Sequence, residues 1–205
     1  MADDDGFDLV EGCIGFVWNC VQFWTTLSAA TILICIIYRP QHFHPHVDSA
    51  VLSALNLTAA TANATDHRSL RYDLAANISL RNWHRRLNLR YQDVAASAFY
   101  SSTRLGPAND ALPAPFTQGP KNTTVLHPVF EGTATVDSSI AAELESELAA
   151  GTVHVRVTLS LTLRYKIGFS QDIAFHQYDC WLWFPPPLDG APAIFDSGTR
   201  CWEAK

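Results

Sequence analysis

The chain has 205 residues, 48% hydrophobic and 17% charged, with a formal net charge of −6. That charge is uneven: residues 1–11 hold Asp3, Asp4, Asp5, Asp8 and Glu11 and no base, so the remainder carries 15 acidic against 14 basic residues, a net of −1. A near-neutral body of this length excludes a nucleic-acid binder that works by charge, and it has room for one domain with a real core but not two.

The first eleven residues are too few and too acidic to fold and read as a short solvated tail. Residues 12–38 then run without one charged side chain. As a helix they reach about 40 Å, against a hydrocarbon core of about 30 Å, so the stretch is expected to span a membrane. The acidic start, the missing basic n-region and the length of the apolar run argue for an uncleaved signal anchor; cleavage near Ala29 and Ala30 is the alternative. Gly15, Asn19, Gln22, Thr26 and Ala29 recur at steps of four and three, a stripe of small and polar residues that can pack the helix against a membrane partner or a second copy. The alternative is a helix that merely tolerates them. Cys13 is a weak candidate for S-acylation.

After Arg39 and Pro40 come His42, His44, His46 and Asp48 at alternate positions. They read as a solvated connector over 39–46, with a metal or pH-sensitive role as the less favoured alternative. From Val47 the pattern turns β. Strands are expected over 47–57, 70–81, 87–100 with a register shift near Asp93, 125–136, 153–169 and 173–184, with a last one carrying Cys201. The clearest alternation is 153–169, with Val153, Val155, Val157, Leu159, Leu161 and Leu163 inward. Residues 138–150 differ: Ile140, Leu144 and Leu148 at helical spacing, with Gly151 as a stop, give one short amphipathic helix. Proline-rich 106–120 and 185–187 read as loops. About seven strands with one apolar and one wet face make the fold mainly β: an N-terminal transmembrane helix followed by an antiparallel β-sandwich over 47–205.

Sequons stand at Asn56, Asn63, Asn77 and Asn122, four of the eight asparagines, where the Ser and Thr content would give about one by chance. Cys180 and Cys201 form an isolated pair near the C-terminal end and suggest a disulfide; two reduced core cysteines are the alternative. Both signals favour a lumenal or extracellular domain. Arg39, the base closest to the apolar stretch, points the other way under the positive-inside rule. Two independent signals outweigh one arginine.

These segments together carry a resemblance: a span ending in Tyr38-Arg39-Pro40, LNLT at 55–58, NISLRN at 77–82, HRRLNLRYQDVAASAFY at 84–100, LPAPFTQGPKNTTVL at 112–126, AAGTVHVRVTLSLTLRYKIG at 149–168, and two late cysteines. In that order the chain resembles the plant NDR/HIN-like membrane proteins, whose outer part is a group 2 late-embryogenesis-abundant domain. The resemblance implies a sandwich like fibronectin type III and an N-terminus in the cytosol. It also implies a place at the plasma membrane and a role in defence and stress responses. It brings no catalytic residue. Two departures stand out: Asn82-Trp83-His84 replaces the common Asn-Pro-Asn, and CWEAK at 201–205 offers no hydrophobic tail for a lipid anchor.

No nucleophile elbow, phosphate loop, HExxH or CxxC is present, so no enzyme, cofactor or metal is expected. The one constellation is basic: Arg68 with Arg71, Arg81, Arg85, Arg86 and Arg90, placed on two neighbouring strands and their hairpin. Guanidinium groups grip carboxylates and phosphates bidentately, so an acidic cell-wall polysaccharide or lipid head groups would fit. The alternative is an ordinary charged sheet face paired with Asp66, Asp73 and Asp93. Protonating all eight histidines would take the body from −1 to as much as +7. Anion binding is therefore expected to rise as pH falls through about 6.5. The sequence reading is a non-catalytic binding module for signalling or membrane-to-wall adhesion; the competing one is a protective stress protein with no specific ligand.

Overall fold

The computed structural model describes residues 5–38, 44–58, 67–110, 112–167, 170–187 and 191–204, and the chain divides into two compact units, Met1–Pro40 and Gln41–Lys205. In the first unit, α1 (Asp5–Tyr38) is one uninterrupted helix of 34 residues. It begins at Asp5, inside the stretch expected to be a tail. Phe16, Trp18, Phe23, Trp24, Ile32 and Ile36 are all exposed, so apolar side chains open in every direction around the axis. The hydroxyls of Thr25, Thr26 and Thr31 turn back to carbonyls one turn earlier, at 2.8 to 3.0 Å, which removes free donors from the helix surface. Among the described residues no helix is both long and apolar enough to cross a membrane. Asn19 and Gln22 lower the hydropathy of that stretch, and the side chains of Ile34, Cys35 and Ile37 lie outside the described set.

The second unit contains, in chain order, β1 (His46–Thr58), β2 (His67–Arg81), β3 (Leu89–Tyr100), β4 (Thr103–Pro107), β5 (Phe116–Gln118) and β6 (Thr123–Leu126). There follow β7 (Val129–Asp137), α2 (Ser138–Ala150), β8 (Val153–Ile167), β9 (Ser170–Phe184), β10 (Ala193–Phe195), β11 (Thr199–Arg200) and β12 (Trp202–Glu203). They form two antiparallel sheets. In the first, β2 lies between β1 and the pair β6 and β7, with β10 and β11 on the far side of β1. In the second the order is β12-β9-β8-β3, with β4 and β5 sharing the free edge of β3.

Alternation explains the layers. Leu70, Tyr72, Leu74, Ala76, Ile78 and Leu80 of β2 face Val153, Val155, Val157, Leu159, Leu161 and Leu163 of β8 within one buried cluster. The register shift expected near Asp93 occurs between Tyr91 and Asp93. The helix expected over 138–150 is α2, which buries Ala141 and Leu144 and ends at Gly151 with φ 83°, a left-handed cap that glycine adopts without strain. The expected strand over 125–136 is instead two. Pro128 has no N–H for a ladder, and its carbonyl accepts from Ala76 N at 3.0 Å, so the chain breaks between β6 and β7. Part of the expected loop over 106–120 is extended as β5, and β10 is a further short strand that the alternation did not show.

Tyr72 ties the sheets together: its hydroxyl donates to the Leu105 carbonyl on β4. A Cβ on Gly106 would lie 2.7 Å from that hydroxyl, and one on Gly132 would lie 2.8 Å from it, so both positions leave room only for glycine. Cys180 on β9 and Cys201 are joined in a buried disulfide with a Cα separation of 4.3 Å. The Cys201 N–H donates to the Pro45 carbonyl at 2.9 Å, so the end of the chain closes on the strand that opens the domain.

Candidate anion-binding surface

The arginines expected to act together are divided by the fold. β2 and β3 are not a hairpin; they lie in different sheets, and residues 82–88 cross between them. Arg71 pairs with Asn56 and Thr133 in the first sheet, ten residues from Arg81, or roughly 33 Å along an extended strand. Arg90 stands on the second sheet, directly across from Arg164. The expected patch therefore reduces to Arg81, Arg85 and Arg86 at one end of the sandwich.

That end is built on buried amides. Asn82 is 1% exposed, and its side chain donates to the carbonyls of Leu87 and Gly119 at 2.8 and 3.0 Å while accepting from His84 N at 3.0 Å. Gln118, fully buried, donates to the carbonyls of Leu80 and Asn122 and accepts from the Tyr91 hydroxyl at 2.9 Å. Burial pushes the Tyr91 phenol well above its ordinary range, with Tyr178 adding to the shift. Asn82 thus fixes the crossing, and His84 is held by hydrogen bonds through its N–H and its carbonyl rather than by a prolyl ring.

On this base Trp83 is exposed, with the Arg81 guanidinium 4.1 Å and the Lys121 ammonium 5.7 Å from its ring centroid. Both contacts are of cation–π type. Lys121, absent from the sequence reading, arrives because its N–H donates to the His84 carbonyl at 3.2 Å. Asp73 and Asp93 do not neutralise the arginines. Among the described residues the ion pairs are Arg68 with Glu145, His154 with Glu147, Arg156 with Asp179 and His176 with Glu203. Asp66, the other expected partner, lies outside the described residues.

Gly15, Asn19, Gln22, Thr26 and Ala29 are all exposed on α1, and a Cβ on Gly15 would meet nothing within 4 Å. Asn56 and Asn122 are exposed, whereas Asn77 is half-buried, its amide donating to the Ser49 hydroxyl at 2.7 Å. Asn63 and His42 lie outside the described residues. Among the described residues no three metal-binding side chains converge.

A family model described as "Late embryogenesis abundant protein" (LEA_2) matches residues 77–177. NDR1/HIN1-like protein 10 of Arabidopsis thaliana is 30% identical over 155 residues, covering 75% of this chain and 64% of its own length. NDR1/HIN1-like protein 3 of the same plant is 28% identical over 178 residues, covering 85% and 73%. The chain therefore spans just under two thirds of the first of these relatives. A crystal structure of a protein from Archaeoglobus fulgidus aligns with 64% of this chain and 95% of that one at 14% identity, with a TM-score of 0.31, too low to carry weight.

Proposed function

Since its central domain makes this chain a LEA_2 protein of the NDR1/HIN1-like kind, we propose that it acts in plant defence and stress responses as a single-pass membrane protein. In this reading its β-sandwich is a non-catalytic binding module outside the cytosol, in signalling support or membrane-to-wall adhesion. The helix α1 is the span, with its N-terminus cytosolic and the domain on the outer side of the plasma membrane. Support for a span comes from the unbroken helix over residues 12–38, its exposed apolar surface all round, and the threonine hydroxyls folded back on the backbone. The stripe from Gly15 to Ala29 is open to a membrane partner or a second copy.

The observation that carries the outer placement is the buried Cys180–Cys201 disulfide, because cytosolic thiols are kept reduced. Exposed sequons at Asn56 and Asn122 agree with it. The ligand class that suits the domain is an acidic wall polysaccharide, whose carboxylates guanidinium groups grip bidentately. The test is an SDS gel of the expressed protein with and without a glycan-removing amidase, in reducing and non-reducing lanes. Shifts in both comparisons are expected. No shift in either places the domain in the cytosol and leaves the protective, ligand-free role.

A further inference from the structure

The outer face of the second sheet is built differently from a solvated surface. Inward alternation of Tyr178, Cys180, Leu182 and Phe184 leaves Ile173, Phe175, Trp181 and Trp183 on the other side, and all four are exposed, Trp183 with its ring also meeting the buried Phe195 edge-on at 5.4 Å. Trp202 of β12 pairs with Asp179 and is 63% exposed. Rings and polar groups interleave across the strands. Trp181, Arg156 and Phe99 stand in one row, with the Arg156 guanidinium 5.5 Å and 5.0 Å from the two ring centroids. In the next row Thr158 donates to Asp179 at 2.7 Å, beside Trp202, over whose ring Arg200 lies at 5.5 Å. Trp183 is one row the other way, roughly 7 Å from Trp181 along the strand.

We propose that this face, and not the loop around Arg85 and Arg86, is where an acidic polysaccharide binds, its sugar rings stacked on Trp181, Trp183 and Trp202 and its carboxylates met by Arg156 and Arg200. The proposal rests on the polysaccharide reading given above and assigns its site. Three observations favour a sugar chain over a protein. The apolar rings are separated by hydrogen-bonding side chains, where a protein interface concentrates its apolar core in one dry patch. The face carries Arg90, Arg104, Arg156 and Arg164 against Asp93 and Asp179, which complements a polyanion. Among the described residues the sequons Asn56 and Asn77 lie on the other sheet, and Asn122 sits next to Lys121 at the loop. A glycosylated domain would keep this face bare while shading the loop patch. The Arg156 guanidinium makes only a long 3.9 Å contact with Asp179, and its Nε atom has no hydrogen-bond partner among the described residues, so the group keeps donors unspent.

The test uses the full chain in detergent micelles and its retention by polygalacturonate in affinity electrophoresis, with hydroxyethyl cellulose as the neutral comparison. Wild type is expected to be retarded by polygalacturonate and far less by the neutral polymer. Trp181→Ala with Trp183→Ala is expected to weaken retention tenfold or more, Trp181→Phe to retain part of it, and Arg85→Ala with Arg86→Ala to weaken it far less than the tryptophan pair. Loss in the arginine variant alone keeps the polysaccharide reading and overturns this site. Equal retention by both polymers overturns the acidic ligand. No retention of wild type by either removes the polysaccharide reading and this site with it. A tryptophan variant that changes only the oligomeric state on a sizing column makes the face a protein interface and overturns the proposal. Circular dichroism of each variant checks that the sandwich is intact.

Discussion

The two sheets share one core and differ on their outer faces. Along β2 the outward positions are Arg71, Asp73, Ala75, Asn77, Ser79 and Arg81, small or charged groups that water solvates well. Along β9 they include Ile173, Phe175, Trp181 and Trp183. Period-two burial dictates only the inward set, and both sheets satisfy it equally. The outward set is free to serve other ends, and exposing rings on one sheet adds nothing to folding while risking aggregation. What differs between two faces with the same inward pattern is therefore where function is written.

Alkali should break the molecule along this division with the largest effect. Tyr91, Tyr100 and Tyr178, all on the second sheet, have phenols pushed up first of all by burial. Their folded pKa lies above the unfolded value near 10, so their contribution is complete below pH 10 and is lost as pH rises through the folded values. Circular dichroism is expected to hold to about pH 10 and collapse above it, with tyrosinate absorbance rising in the same step. Phenols that ionise near 10 while the fold persists would show that the second sheet is looser than its burial implies.

Removing the disulfide with Cys180→Ala and Cys201→Ala should come next, costing about 3 kcal/mol for a loop of this length. The measurement is a urea midpoint against wild type, and an unchanged midpoint would show that β12 and the chain end contribute nothing. Smaller again is Gly132→Ala, whose new Cβ meets the Tyr72 hydroxyl at 2.8 Å. A loss of about 2 kcal/mol is expected from overpacking, partly recovered when Tyr72→Phe removes the oxygen. If the midpoint stays put, the first sheet can adjust where the ladder says it cannot.

Much of this was legible in the residues. Alternation marked β2 and β8, helical spacing with Gly151 marked α2, and the cysteine pair marked the covalent tie. Three things were hidden for physical reasons. Strands as short as β5 and β10 contain too few residues to show a period. The crossing of residues 82–88 depends on the Asn82 side chain finding Leu87 and Gly119, a contact that no local pattern encodes. The aromatic face was invisible because residues 180–184, CWLWF, are apolar at every position. Hydropathy cannot say which of two apolar faces is inside; only the packing of β9 against β8 and β12 decides.

The hydrogen bond from Cys201 to Pro45 has a mechanical consequence. Tension arriving at Pro45 is divided at once. Part runs into the β1–β2 ladder, which resists in shear along eleven paired residues. Part passes through Cys201 and its disulfide to β9, the strand bearing Trp181 and Trp183. A load on those rings therefore has a short route to the point where the chain enters the domain, and it need not cross the hydrophobic core.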